Sequence, residues 1–141
     1  MTPAEMAAIH AAAFTRQRPW AEVEFVSLLD DRTTRVIEVD GGFGLLLVVA
    51  PEAEIITLAV NPAMQRRGTG RRIVEAMMQE ARDAGAATVY LEVAAGNLPA
   101  RALYAATGFE ETGRRLHYYR FPDGGSDDAI VMARAIDGPV P

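Results

Sequence analysis

Apolar positions recur along the chain with two spacings. Near the start, Met6, Ile9, Ala13 and Phe14 share one side of a helical period. Thr2 followed by Pro3 supplies the start of that helix, and residues 16–19 break it. A second short helix is predicted from Trp20 to Leu29, with Trp20, Val23 and Phe25 or Leu28 near the core. The pattern then becomes strand-like. Arg35–Val39 and Phe43–Val49 flank a Gly41-Gly42 turn, and Glu54–Val60 is rich in β-branched residues and closed by Asn61-Pro62. From Thr69 to Ala84 the helical period returns, with Ile73, Val74, Met77, Ala81 and Ala84 on one face and Gly85 as the stop. Thr88–Ala94 reads as a strand and Asn97–Thr107 as a helix ended by Gly108. Phe109–Leu116 and Ala129–Ala135 read as a closing antiparallel pair.

This order of helices, an antiparallel meander and then strand–helix–strand–helix–strand–strand predicts a mixed α/β sheet. The length of 141 residues fits one domain, and neither an inter-domain linker nor an internal repeat interrupts it. The longest strongly apolar run, Leu45 to Ala50, is too short to span a bilayer. The Ala-rich start carries Glu5 and His10 and no basic region, a poor match to a signal peptide. A cytoplasmic protein with no membrane association is expected.

Two absences narrow the chemistry. There is no Cys, so a thiolate nucleophile, a Cys-ligated zinc site and an iron–sulfur cluster are excluded. All 14 basic residues are Arg, so there is no Schiff-base lysine and no Walker lysine. His10 and His117 lack metal-helix spacing, and no metal is expected. Neither Ser27 nor Ser126 lies in a nucleophile elbow. The net charge of −5 argues against direct binding of nucleic acid.

The densest chemical signal is Gln65–Gly70 (QRRGTG), which follows a strand and opens a helix. Gly68 and Gly70 allow backbone geometry and close approach that side chains would block. Successive N–H groups in such a turn, at the positive end of a new helix, form an anion-binding nest. Arg66, Arg67, Arg71 and Arg72 add positive charge, so a pyrophosphate is a natural guest. The alternative is a tight turn with solvated arginines. A dinucleotide fingerprint fails because Ile73 stands where a third glycine is needed, and a P-loop fails for want of Lys.

The strand, the Asn61-Pro62 turn, Gln-Arg-Arg-Gly-x-Gly and the amphipathic helix together resemble the coenzyme A motif of the GNAT superfamily of N-acetyltransferases. Leu91–Phe109 (LEVAAGNLPARALYAATGF) is similar to the pattern of that superfamily's ribosomal-protein-alanine (RimI-type) members. So are Pro19-Trp20 with Phe25, His117-Tyr118-Tyr119 and Asp128-Ala129-Ile130; the likeness runs from Ala8 to Arg134. It implies a central mixed, mostly antiparallel sheet with helices on both faces. It also implies one N-acetyltransferase domain over residues 1–136, while residues 137–141, with two Pro, read from composition as a flexible tail.

The resemblance implies acetyl-CoA as co-substrate and a protein N-terminal α-amine, the N-terminal alanine of a small-subunit ribosomal protein, as acceptor. Coenzyme contacts are expected from Leu58, Ala59 and Val60 through their main chain, and from Arg66, Arg67, Gly68, Thr69, Gly70, Arg71 and Asn97. Asn97 also reads as a helix cap. Glu92 shares a strand face with Tyr90 and Ala94, so it is either a solvated strand carboxylate or the base the family pattern places there. Tyr104 is either a ring packed on the sheet or the acid that protonates the leaving thiolate. Tyr118 and Tyr119 are either edge-strand aromatics or the walls of a peptide groove. His117 stands where the family usually has Asn, and Arg120–Gly125 departs from its short turn. Both departures leave a small-amine acceptor as a rival reading, and a CoA-binding sensor without turnover is another. His10 reads as a surface residue of the first helix.

Overall fold

Thr2 starts the first helix through a reciprocal cap. Its Oγ1 accepts the Glu5 N–H, and Glu5 Oε1 accepts the Thr2 N–H, each at 3.1 Å. The computed structural model describes residues 1–14 and 18–136. The helices are α1 (Pro3–Ala13), α2 (Glu22–Asp30), α3 (Thr69–Asp83) and α4 (Leu98–Ala106). The strands are β1 (Thr34–Val39), β2 (Gly42–Val49), β3 (Glu52–Val60), β4 (Thr88–Ala94), β5 (Glu110–Arg120) and β6 (Ser126–Ala135). A 3₁₀ turn at Pro62–Met64 joins β3 to the glycine-rich loop.

The strands form one sheet in the order β1-β2-β3-β4-β6-β5. Every neighbouring pair is antiparallel except β3 and β4, which run parallel and are linked across α3. The expected mixed, mostly antiparallel sheet with helices on both faces is therefore present. On one face, Ile73, Val74, Met77 and Ala81 of α3 pack with Leu46, Ile55, Val89 and Leu91. On the other, Met6 of α1 and Phe25 of α2 pack with Phe43, Leu45 and Ala59. Val23 departs from expectation: it is 70% exposed, because α2 starts at Glu22 and turns Phe25 inward instead.

The parallel pairing is short. It runs from Glu52↔Thr88 to Ile55↔Leu91 and stops, although both strands continue. Opposite β2 the register slips between Leu45 and Leu46, so Ile56 is an extra residue in β3. Such a bulge bends its strand and raises its twist. Beyond it, Ile56–Val60 and Glu92–Ala94 diverge, held instead by β2 and β6 on their outer sides. The gap lies in the middle of the sheet, where a strand's main-chain groups would otherwise be paired.

Candidate active site

The gap is a cavity of ≈ 180 Å³. Ile56, Thr57 and Leu58 of β3 line one side, and Glu92, Val93 and Ala94 of β4 the other. Tyr104 of α4, Tyr119 of β5, and His10, Phe14 and Trp20 complete it. In an extended strand, alternate residues turn their N–H and C=O to each side. Half of the main-chain groups of Ile56–Val60 therefore face the gap and not β2.

Leu58, Phe14, Asn97, Ala100 and Leu103 also line a second, wider cavity that reaches the glycine-rich loop. Gly68, Thr69, Gly70, Arg66 and Arg71 form its far end. Gly68 is the N-cap of α3 at φ 76°, a left-handed conformation that strains any residue with a Cβ. Arg66 adopts φ 64° two residues earlier. Gly70 serves differently: a Cβ there would lie 3.0 Å from Leu103 Cδ2, so glycine lets α3 and α4 meet. Having no side chain, Gly68 caps none of the first-turn amides of α3. Thr69 Oγ1 is committed to the Met64 carbonyl at 3.2 Å. The leading N–H groups of a 15-residue helix are thus left for an anion at the positive end of its dipole. That donor set, with Arg66 and Arg71 beside it, suits a pyrophosphate.

Two arginines of the loop are used otherwise. Arg72 turns back, donating to the Arg67 carbonyl at 3.1 Å and to Thr69 Oγ1 at 3.2 Å, and so braces the turn. Arg67 lies outside the cavity wall, with its guanidinium 3.8 Å from the Met64 sulfur. Asn97 caps α4 by accepting the Ala100 N–H at 3.3 Å and also lines both cavities.

Glu92 sits across the β4–β6 register from Val131, on the sheet face opposite α3. Its carboxylate pairs with Arg115 of β5 at 3.4 Å and is 23% exposed. Glu54 shares that face, and burial together with the Glu92 charge pushes its carboxyl up, against the pull of Arg115. Tyr104 is buried, its ring edge-on to Phe109 at 5.7 Å. Burial, and then the nearby Tyr119, push its phenol well above the ordinary range, so it keeps its proton. Burial first and the Glu92 charge second push Tyr119 up to about 12. Tyr118 does not line the cavity. It is 50% exposed, edge-on to Tyr119 at 5.2 Å and under the Arg115 guanidinium at 5.1 Å. The β5–β6 register breaks after Arg115, with His117 at φ 52°, and resumes at Tyr119 opposite Asp127, which leaves Tyr118 outside the paired ladder.

His10 corrects the sequence reading. It is 2% exposed, not at the surface, and its ring stacks on Trp20 at 5.0 Å. A signal existed, since Met6, His10 and Phe14 follow one another at four-residue spacing on one helix face. Phe14 and Trp20 reach the cavity from the same side.

The acetyltransferase (GNAT) family profile matches residues 5–109, which include β3, the glycine-rich loop, Glu92 and Tyr104. The chain belongs to the GNAT acetyltransferase family. As a GNAT enzyme it is an N-acetyltransferase that uses acetyl-CoA as donor, and the loop at the N-terminus of α3 suits that donor's pyrophosphate. The chain is 38% identical to the [ribosomal protein bS18]-alanine N-acetyltransferase of Escherichia coli K12, over 92% of this chain and 90% of that protein. The Haemophilus influenzae protein of the same name is 36% identical over 65% of this chain and 62% of its own length. The crystal structure of the Escherichia coli enzyme superposes with a TM-score of 0.84, at 35% identity, over 97% of this chain and 88% of that one. Arabidopsis thaliana NAA60 in complex with acetyl-CoA shares the fold, with a TM-score of 0.80 at 19% identity over 96% of this chain and 94% of that one.

Proposed function

We propose that this GNAT enzyme acetylates the N-terminal α-amine of a protein, the N-terminal alanine of a small-subunit ribosomal protein, in the cytoplasm. Residues 1–136 act as its catalytic domain. The observation that carries the reading is that two neighbouring cavities share Leu58, Asn97, Ala100 and Leu103 in their walls. One leads to an anion cradle, and the other holds Glu92, Tyr104 and Tyr119. The names of the 38%-identical relatives supply the acceptor. No helix among the described residues is long and apolar enough to cross a membrane.

In this reading the cradle amides and Arg66 and Arg71 hold the pyrophosphate of acetyl-CoA. The gap-facing N–H groups of Leu58 and Val60, on either side of Ala59 whose N–H turns to β2, orient the acetyl group and stabilise its carbonyl oxygen as that gains charge. Glu92 accepts a proton from the incoming amine, directly or through one water. The amine nitrogen forms a bond to the acetyl carbon, the carbon–sulfur bond breaks, and Tyr104 gives its proton to the departing thiolate. With no Cys in the chain, the transfer is direct.

The acceptor's own basicity supports the same assignment. An α-amine titrates near 7.7–8.0 and a lysine amine near 10.4, so at neutral pH roughly a tenth of the first is already neutral, against well under 0.1% of the second. One carboxylate base suits the easier amine. The decisive experiment measures acetyl-CoA turnover against peptides with N-terminal alanine, peptides with internal lysine, and small amines. Preference for the alanine peptides is expected. Turnover of small amines alone would remove the protein acceptor, and binding without turnover would favour a sensor.

A further inference from the structure

The mechanism leaves His10, the most deeply buried polar side chain of the cavity wall, unused. His10 is 2% exposed and fenced by Phe14 at 4.4 Å, Trp20 at 5.0 Å and Phe25 at 5.8 Å. Its Nδ1 lies 3.2 Å from the Trp20 main-chain N–H, which has only a lone pair to donate to there. A neutral imidazole with an unprotonated Nδ1 carries its hydrogen on Nε2. Burial among the rings pulls its pKa down to about 4, with Arg18 adding to the fall and Glu24 opposing it, so the ring is neutral at assay pH. Nε2 finds no acceptor among the described residues, yet it is not a sealed, unpaired atom. For a ring this buried, the space left to it is the cavity it lines with Glu92, Tyr104 and Tyr119.

We infer that His10 is a specificity-determining residue whose Nε2–H donates to the first main-chain carbonyl oxygen of the acceptor. This rests on the peptide-acceptor reading above and adds to it. An N–H donor has nothing to offer an ammonium group, which cannot accept a hydrogen bond. A free amino acid's carboxylate would lie in a cavity that already holds the Glu92 carboxylate. A peptide carbonyl is an uncharged acceptor one residue from the reacting amine. A buried donor left unpaired by a carbonyl-free amine is costly, so the site favours peptides over simple amines.

Two substitutions separate this role from a structural one. In His10→Asn, the side-chain oxygen can replace Nδ1 under the Trp20 N–H, but nothing replaces Nε2–H. In His10→Gln, the longer amide can place an N–H near Nε2 and loses the Nδ1 acceptor. Each enzyme is assayed with an N-terminal alanine peptide and with the same peptide in which the first carbonyl is reduced to CH₂. Differences in amine basicity cancel when enzymes are compared on one acceptor. The expected result is a roughly tenfold higher KM of His10→Asn for the normal peptide with kcat little changed, and no change for the reduced one. His10→Gln keeps a near wild-type KM while melting at a lower temperature. Equal KM for the normal peptide in wild type and His10→Asn, or equal losses on both acceptors, would overturn the inference and leave the acceptor assignment standing. Wild-type enzyme that uses no peptide at all would overturn both.

Discussion

Replacing Glu92 by Gln isolates the proton-accepting step. The substitution keeps size and hydrogen bonding and removes the charge. Its structural cost is small: among the described residues, the one ion pair lost is that with Arg115 at 3.4 Å, between partly exposed side chains. Such pairs are worth about 0–1 kcal/mol, so the melting midpoint should move by no more than ~4 °C. The kinetic cost is much larger, because a positioned general base contributes on the order of 100-fold or more. Its pH dependence follows from the acceptor. For an α-amine titrating near 7.7–8.0, the neutral fraction rises roughly six- to tenfold between about pH 7 and pH 9. The loss should therefore shrink from about 100-fold at pH 7 to roughly 10–20-fold at pH 9. The assay is initial-rate release of CoA thiol with an N-terminal alanine peptide at saturating acetyl-CoA, with coenzyme affinity measured separately by calorimetry and expected to be unchanged. A variant that keeps more than half of wild-type kcat at neutral pH, or a loss that stays constant with pH, would refute Glu92 as the base.

Other perturbations probe the remaining parts. Tyr104→Phe should lower kcat by about 100-fold with acetyl-CoA affinity retained; wild-type turnover would remove the acid role. At Gly68 a Cβ meets nothing nearer than Arg72 Nη1 at 3.7 Å, so the cost of Gly68→Ala comes from φ 76° alone, about 1–2 kcal/mol. Calorimetric titration should show acetyl-CoA binding roughly 5–30-fold weaker, and unchanged affinity would show that the cradle geometry does not matter. Gly44→Ala places a Cβ 2.7 Å from Met77 Sδ and 2.8 Å from Ile73 Cγ2, under α3. Overpacking there should cost about 1–3 kcal/mol, read as a lower melting midpoint; an unshifted midpoint would mean that α3 moves freely. His10 makes stability depend on pH. Burial lowers its folded pKa from 6.5 to about 4, so the unfolded chain binds the extra proton first. Stability should fall as the pH drops from about 6.5 to 4, by on the order of 3 kcal/mol from this group, and His10→Asn should lose that component in acid denaturation curves.

Much of the framework was legible because local rules and burial agree. The Thr2 cap with Pro3, the stripe from Ile73 to Ala81 and the β-branched run of β3 each predict an element that formed within a few residues of its expected ends. Composition alone excluded an acetyl-enzyme on Cys. The glycine-rich loop between strand and helix marked a candidate anion site in the sequence alone, because such a site is a main-chain device: a left-handed residue, a helix start and close approach. The candidate acid and base were marked by a resemblance, since neither a strand Glu nor a helical Tyr declares its chemistry by spacing.

Tertiary structure decided what depends on distant partners. The splay of β3 from β4 needs the slip of β2 against β3 at Ile56, and register between strands is not written in either strand alone. Arg115 reaches Glu92 only because β6 lies between β4 and β5. Arg67 and Arg72 read as cradle charges, yet their geometry sends one outside the wall and the other back onto its own turn. His10 was the sharpest reversal. Its helix is Ala-rich, and in the sequence a polar side chain among alanines reads as surface. Packing chose otherwise, because Trp20 and Phe25, from a segment that meets α1 only in the fold, close over it beside Phe14 of its own helix end. The sequence by itself determined the elements and the glycine-rich turn that opens α3, which follow from neighbours along the chain. Only the folded sheet decided which side chains share the cavity, because the gap exists where two strands stop pairing.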